Sequence, residues 1–207
     1  MLPEIKLPFG DKKEVHQAVG VTKYELRLDH EIGEAENYAD WMRTIRTAGE
    51  HDIIELHLCT PGGQLSTTMY LLSALRDSPA HKHVVISGQC CSGGTLVMMA
   101  GDSWEIDPHT QFLFHCYRGG MVGKHEDMKS NIMYMDDYIK SVIEDVFAGF
   151  LTKKEMQILI EGKEHYMLAT EVGERLSKRT KHLEREKKRM IKEITKMMTE
   201  EKGESIV

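Results

Sequence analysis

Hydrophobic and polar positions along the chain switch repeatedly between a period of two and a period of three to four. Residues 24–28 read Tyr-Glu-Leu-Arg-Leu, the alternation of a half-buried strand, and 34–47 then set Ala35, Tyr38, Ala39, Met42 and Ile45 at helical spacing. A strand at 53–58 closes on the turn Thr60-Pro61-Gly62-Gly63, after which Leu65, Met69, Leu72 and Leu75 form the apolar stripe of a helix running to about Ser78. The pattern recurs as a strand at 84–87, a turn at Gly88-Gln89 and a helix of small and apolar residues over about 93–100. Short runs at 104–106 and 112–115 follow. Strands alternating with helices of about three turns predict the α/β class, with right-handed crossovers and a mostly parallel sheet.

The second half changes character. Over about 126–150, Met128, Ile132, Met135, Ile139, Val142, Ile143, Val146 and Phe150 recur at three and four with acids and lysines between them, which predicts one long helix that must bury its stripe on something. From Lys181 to Glu201 the chain is dense in charge, with Leu183, Met190, Ile191, Ile194, Met197 and Met198 on a ragged helical face, the pattern of a solvated tail helix or one that docks a partner. The predicted organisation is a polar leader (1–20), an α/β head (21–124), a handle-helix region (125–162), the end of the head (163–180) and a charged helical tail (181–207).

Composition narrows the function classes. With 207 residues, 41% hydrophobic and 29% charged, the chain suits a globular protein with a sizeable core. A net charge of −6, with basic residues interleaved among acids, disfavours nucleic acid as a partner. The first twenty residues carry Pro3, Pro8, Gly10 and several charges, so they read as neither a signal peptide nor a membrane span, and a cytoplasmic location is the expectation. Cys59, Cys90, Cys91 and Cys116 lack metal-ligand spacing and are expected to be reduced, buried thiols; no metal and no cofactor are expected.

Three segments carry candidate chemistry. Ser92, in Gly88-Gln89-Cys90-Cys91-Ser92-Gly93-Gly94, lies between a strand and a helix, where unpaired backbone N–H groups can hold a developing oxyanion, although Cys90 stands where a Gly-x-Ser-x-Gly elbow has its first glycine. A serine there also serves as a plain helix cap. His115 ends the run Phe112-Leu113-Phe114, where a strand's carboxyl end would present it as a base, and it gains meaning only beside Ser92. Gly62 and Gly63 allow the backbone to approach a bound carbonyl, or simply make a tight turn.

Taken in order, Thr60-Pro61-Gly62-Gly63, Gly88-Gln89-x-x-Ser92-x-Gly94, Phe112-Leu113-Phe114-His115 with Gly119-Gly120 and Gly123, and the long helix resemble the Clp protease proteolytic subunit over about residues 24–173. The resemblance implies a ClpP/crotonase-type fold of repeated β-β-α units, with a protruding handle helix over about 126–150 and, in this chain, an extra C-terminal helix. It implies that Ser92 is the nucleophile, His115 the general base, Gly63 and Gly93 the oxyanion hole, and Gly62 and Gln64 substrate-binding residues. Glu164, in Glu164-His165-Tyr166-Met167-Leu168-Ala169, falls where the family has the triad aspartate. Its extra methylene would need compensating changes in backbone or rotamer. Gly93, where many members carry methionine, and the Cys90-Cys91 pair are further departures, and the chain after about Ser177 has no counterpart.

The implied function is a serine endopeptidase acting on peptides or unfolded proteins inside homo-oligomeric rings, single or in a stacked pair, with an AAA+ unfoldase ATPase as partner. No P-loop is present here, so any ATP dependence would belong to that partner. Alternatives are a phage-type protease that processes capsid or scaffold proteins, an acyl-CoA enzyme of crotonase type, against which the ordered Ser92 and His115 argue, and a catalytically silent ring scaffold.

Overall fold

The computed structural model describes residues 13–18 and 20–204. Most of the polar leader (1–12 and 19) and residues 205–207 of the tail lie outside the described residues. The strands are β1 (Lys13–Ala18), β2 (Val21–Leu28), β3 (Ile53–Thr60), β4 (His81–Cys91), β5 (Ser103–Ile106), β6 (Gln111–Phe114) and β7 (His165–Met167). The helices are α1 (Ala39–Thr47), α2 (Leu65–Asp77), α3 (Gly93–Met98), α4 (His125–Val146), α5 (Lys153–Ile160) and α6 (Ala169–Glu204), with a short 3-10 turn before α1.

One seven-stranded sheet runs β1-β2-β3-β4-β6-β7, with β5 also on β4. The pairs β2/β3, β3/β4, β4/β5 and β4/β6 are parallel, and β1/β2 and β6/β7 at the ends are antiparallel. The predicted α/β class and mostly parallel sheet are therefore present. Alternation in β3 sends Ile54, Leu56 and Leu58 into the core and leaves Glu55 and His57 half-buried on the opposite face. The stripes of α1 (Trp41, Met42, Ile45), α2 (Leu71, Leu72, Leu75) and α3 (Val97, Met98) fill the same core.

On the edge away from β3, strand β4 serves two partners. Its first half pairs with β5 and its last three residues, Gln89–Cys91, pair with β6. Between these halves the register against β3 shifts, and Gly88 takes a φ of 67°. An extra stretch of this kind bends a strand and increases its twist, so Ser92 leaves the sheet at the carboxyl edge of β6 rather than β5.

The long helix predicted over 126–150 ends at Val146. A tight turn follows, with Gly149 at φ 73°, and α5 begins with a capping box between Thr152 and Glu155. The first part of α4 stands away from the core, with Ile132, Met133 and Tyr134 exposed, and only Ile139, Val142, Ile143 and Val146 are buried. The expected C-terminal helix is the far part of α6, which runs without a break from the head. Strands β1 and β7 were not anticipated. Only Cys90 of the four free cysteines is fully buried; Cys59, Cys91 and Cys116 are half-buried, because alternation on β3 and β4 turns 59 and 91 away from the core. Among the described residues no helix is long and apolar enough to cross a membrane.

Candidate active site

The loop after β3 is built from backbone and one hydroxyl. Buried Thr60 donates its Oγ1 hydrogen to the carbonyl of His30 (2.6 Å) and accepts the N–H of Gly62 (3.1 Å). Ile32 then brackets Gly63: its N–H donates to the Gly62 carbonyl (2.7 Å), and its carbonyl accepts the N–H of Gln64 (2.8 Å). In such a parallel bridge the N–H of Gly63 itself faces away from Ile32, and Gly63 lines the cleft. Both glycines are required by space. A Cβ on Gly63 would lie 2.2 Å from the Ile32 carbonyl oxygen, and one on Gly62, at φ 95°, would lie 2.6 Å from the Cβ of Ser92.

Ser92 has a φ of 53° and a ψ of −124°, and it is the one non-glycine with positive φ among the described residues. Its N–H donates to the Leu113 carbonyl (2.9 Å), which fixes this strained residue against β6, two positions before His115. The hydroxyl does not cap α3; instead the Ser92 carbonyl accepts from the N–H (2.9 Å) and hydroxyl (2.7 Å) of Thr95. That arrangement excludes the plain-cap reading and leaves Oγ for other work. Gly93 follows so closely on α2 that a Cβ there would lie 2.6 Å from the Thr68 hydroxyl oxygen. A methionine at this position would not fit the present packing.

His115 follows directly on β6 and, with Ser92, Gly63, Gln64 and Gly93, lines a single cleft of about 840 Å³. The far wall is the handle, through Met128, Ile132, Met135, Ile139 and Val142. Gln64 also donates its side-chain amide to Glu34 (2.6 Å). Partial burial, reinforced by the positive charge of Arg118, holds the His115 imidazole below its ordinary value; the Cys116 carbonyl and Glu164 pull weakly the other way. His115 is therefore neutral at neutral pH, the form in which an imidazole accepts a proton.

Glu164 is brought to the same place. Strand β7 pairs antiparallel with β6, Phe114 against His165, and one more step in that register sets Glu164 opposite His115. Its carboxylate is held by two other groups: Arg118 donates to Oε1, and the Tyr166 hydroxyl donates to Oε2 at 2.6 Å. Among the described residues no hydrogen bond joins His115 to either Ser92 or Glu164. The hydrogen bond from Tyr166 and the charge of Arg118 lower the Glu164 carboxyl, so it is ionised at neutral pH. Arg118 and Tyr166 escaped the sequence reading, because the β6/β7 pairing that brings them to Glu164 leaves no local signal. Nothing local pointed to Ile32.

Elsewhere, Glu25, Glu55 and His57 bring metal-ligand atoms within 4.8 Å of one another. Lys23 sits 2.7 Å from Glu55, Arg27 is paired with Glu25, and His57 Nε2 lies 3.0 Å from Glu55, so the two carboxylates are already balanced by two cations. This is an ion-pair ladder across β2 and β3.

The fold and cleft define the class: an α/β protein whose strained serine and neutral histidine line one cleft at the edge of a mostly parallel sheet, beneath an apolar helical wall. The Clp protease family model matches residues 26–175, well over half of the sequence, and the chain belongs to that family. It is also similar to an uncharacterized protein of Methanocaldococcus jannaschii, at 33% identity over 72 residues, which is 35% of this chain and 25% of that protein. The chain thus matches about a quarter of that relative's length.

Proposed function

We propose that this Clp protease family member is a serine endopeptidase that works by the acyl-enzyme route. Ser92 Oγ attacks the peptide carbonyl carbon while its proton passes to His115; the C–N bond then breaks, His115 protonates the leaving amine, and water hydrolyses the ester to the acid and free Ser92. The N–H groups of Gly63 and Gly93 hold the tetrahedral oxyanion. Gln64 borders the bound peptide, Gly62 is buried behind the loop and does not line the cleft as the resemblance had implied, and Glu164 orients the imidazole when it engages His115. The strained φ of Ser92, with its hydroxyl spared from capping, is the observation that carries this reading.

Family membership supports homo-oligomeric rings that enclose the site, with unfolded or unfolding proteins as substrates and an AAA+ unfoldase as feeder. The apolar handle wall favours an apolar side chain next to the cleaved bond. The test is hydrolysis of fluorogenic peptides and unfolded casein. Wild type is expected to cleave, with the rate falling by about 10³-fold or more in Ser92→Ala. A second reading, a silent scaffold subunit, draws on the Glu164 carboxylate being bonded to Arg118 and Tyr166 and not to His115. Hydrolysis that survives purification and vanishes in Ser92→Ala would exclude it.

A further inference from the structure

Two charged groups beside His115, Arg118 and Glu164, pull its imidazole in opposite directions. Glu164 stands opposite the imidazole in register, yet both of its oxygens are engaged by side chains other than His115. Arg118 lines the same cleft, and its charge acts on both His115 and Glu164. The clamp is also easily opened: the side chain of Arg118 is 73% exposed and Tyr166 is 67% exposed, so water can replace either bond.

Resting on the serine-peptidase reading above, we infer that Arg118, assisted by Tyr166, is a positioning residue that works as a latch: it holds the Glu164 carboxylate away from His115, and the triad is completed only when Arg118 lets go. The longer side chain of glutamate makes this possible, since its carboxylate can swing between two partners that flank one strand end. When Arg118 withdraws, Glu164 is free to accept the imidazole Nδ1–H and fix the tautomer in which Nε2 takes the proton of Ser92.

The groups that act on His115 are Arg118, Glu164 and the Cys116 carbonyl. Removing the guanidinium takes away a repelling cation and releases an attracting anion, so both changes favour the imidazolium. The experiment measures the rate constant for labelling of Ser92 by a fluorophosphonate probe across pH 5 to 9, on the full chain, in wild type, Arg118→Leu, Tyr166→Phe, Glu164→Gln and the Arg118→Leu/Glu164→Gln double variant. Arg118→Leu is expected to label about two- to fivefold faster at pH 8, the size of effect for an exposed ion pair. Its acid limb should move to higher pH, and Tyr166→Phe should show a smaller change in the same direction. The gain should disappear in the Glu164→Gln background.

Slower labelling in Arg118→Leu, or a gain that persists without the Glu164 carboxylate, overturns the latch while leaving the hydrolase reading intact. An acid limb that stays where it was in a faster Arg118→Leu also overturns it. No adduct on Ser92 in any variant, including wild type, removes the hydrolase reading and the latch with it.

Discussion

Ser92 is half-buried and holds its positive φ beside Gly62, whose lack of a Cβ leaves the room that the Ser92 side chain occupies. Gly62→Ala would place a Cβ at φ 95° and 2.6 Å from that of Ser92, so it is expected to cost about 1–3 kcal/mol of stability and at least tenfold in Ser92 reactivity. Chemical denaturation and probe labelling measure the two effects separately. His115 supplies the pH dependence. Its active form is neutral and its pKa is held below the ordinary 6.5, so hydrolysis should persist to lower pH than an unperturbed imidazole allows, with the acid limb below pH 6.5. A limb above that value would contradict the dominance of partial burial and Arg118 over Glu164 at His115. At this scale the motif order singled out Ser92, His115 and Gly63, which the structure brings to one cleft. The Arg118 and Tyr166 clamp was not, because it depends on β6 and β7 meeting across some fifty residues of intervening chain.

Elements position these residues by packing that can be tested one contact at a time. Phe114 sits between Phe147 and Phe150, with ring centroids 5.6 and 5.5 Å away, and it joins β6 to the turn that ends the handle. Phe114→Ala should cost about 3–5 kcal/mol and loosen His115, the next residue. Glu155 binds Arg175 through both oxygens, at 2.7 and 2.9 Å, which ties α5 to α6, and this partner lowers its pKa to about 2. A carboxyl lowered on folding contributes stability that is complete above its ordinary value of 4.5 and is lost as pH falls toward 2. Denaturation midpoints of wild type should therefore drop over that window, and those of Glu155→Gln should change less. The strongly periodic segments, β3, α2 and the buried part of α4, were readable from spacing. Strand β7 was not, since three residues are too few to show a period, and β1 carries the charged, polar composition of a leader and becomes a strand through its antiparallel pairing with β2. The break at Phe147 to Phe150 was hidden because apolar spacing continues through the turn.

The whole molecule presents its cleft between a packed head and a handle whose outer part leaves Ile132, Met133 and Tyr134 exposed. Adjacent apolar side chains of this size on one projecting helix suit burial against other copies of the chain, as the proposed rings require. Sedimentation velocity should give a particle several times the 23.7 kDa chain mass, and Ile132→Glu/Tyr134→Glu should shift it to smaller species with the helical signal retained. A wild type that sediments as one chain would contradict the ring proposal. The central claim, that Ser92 is a nucleophile activated by His115, is tested most directly by locating the fluorophosphonate adduct by mass spectrometry in the assembled protein. The account predicts an adduct on Ser92 that is lost in Ser92→Ala and His115→Ala; an assembled, folded protein with no adduct at Ser92 would contradict it.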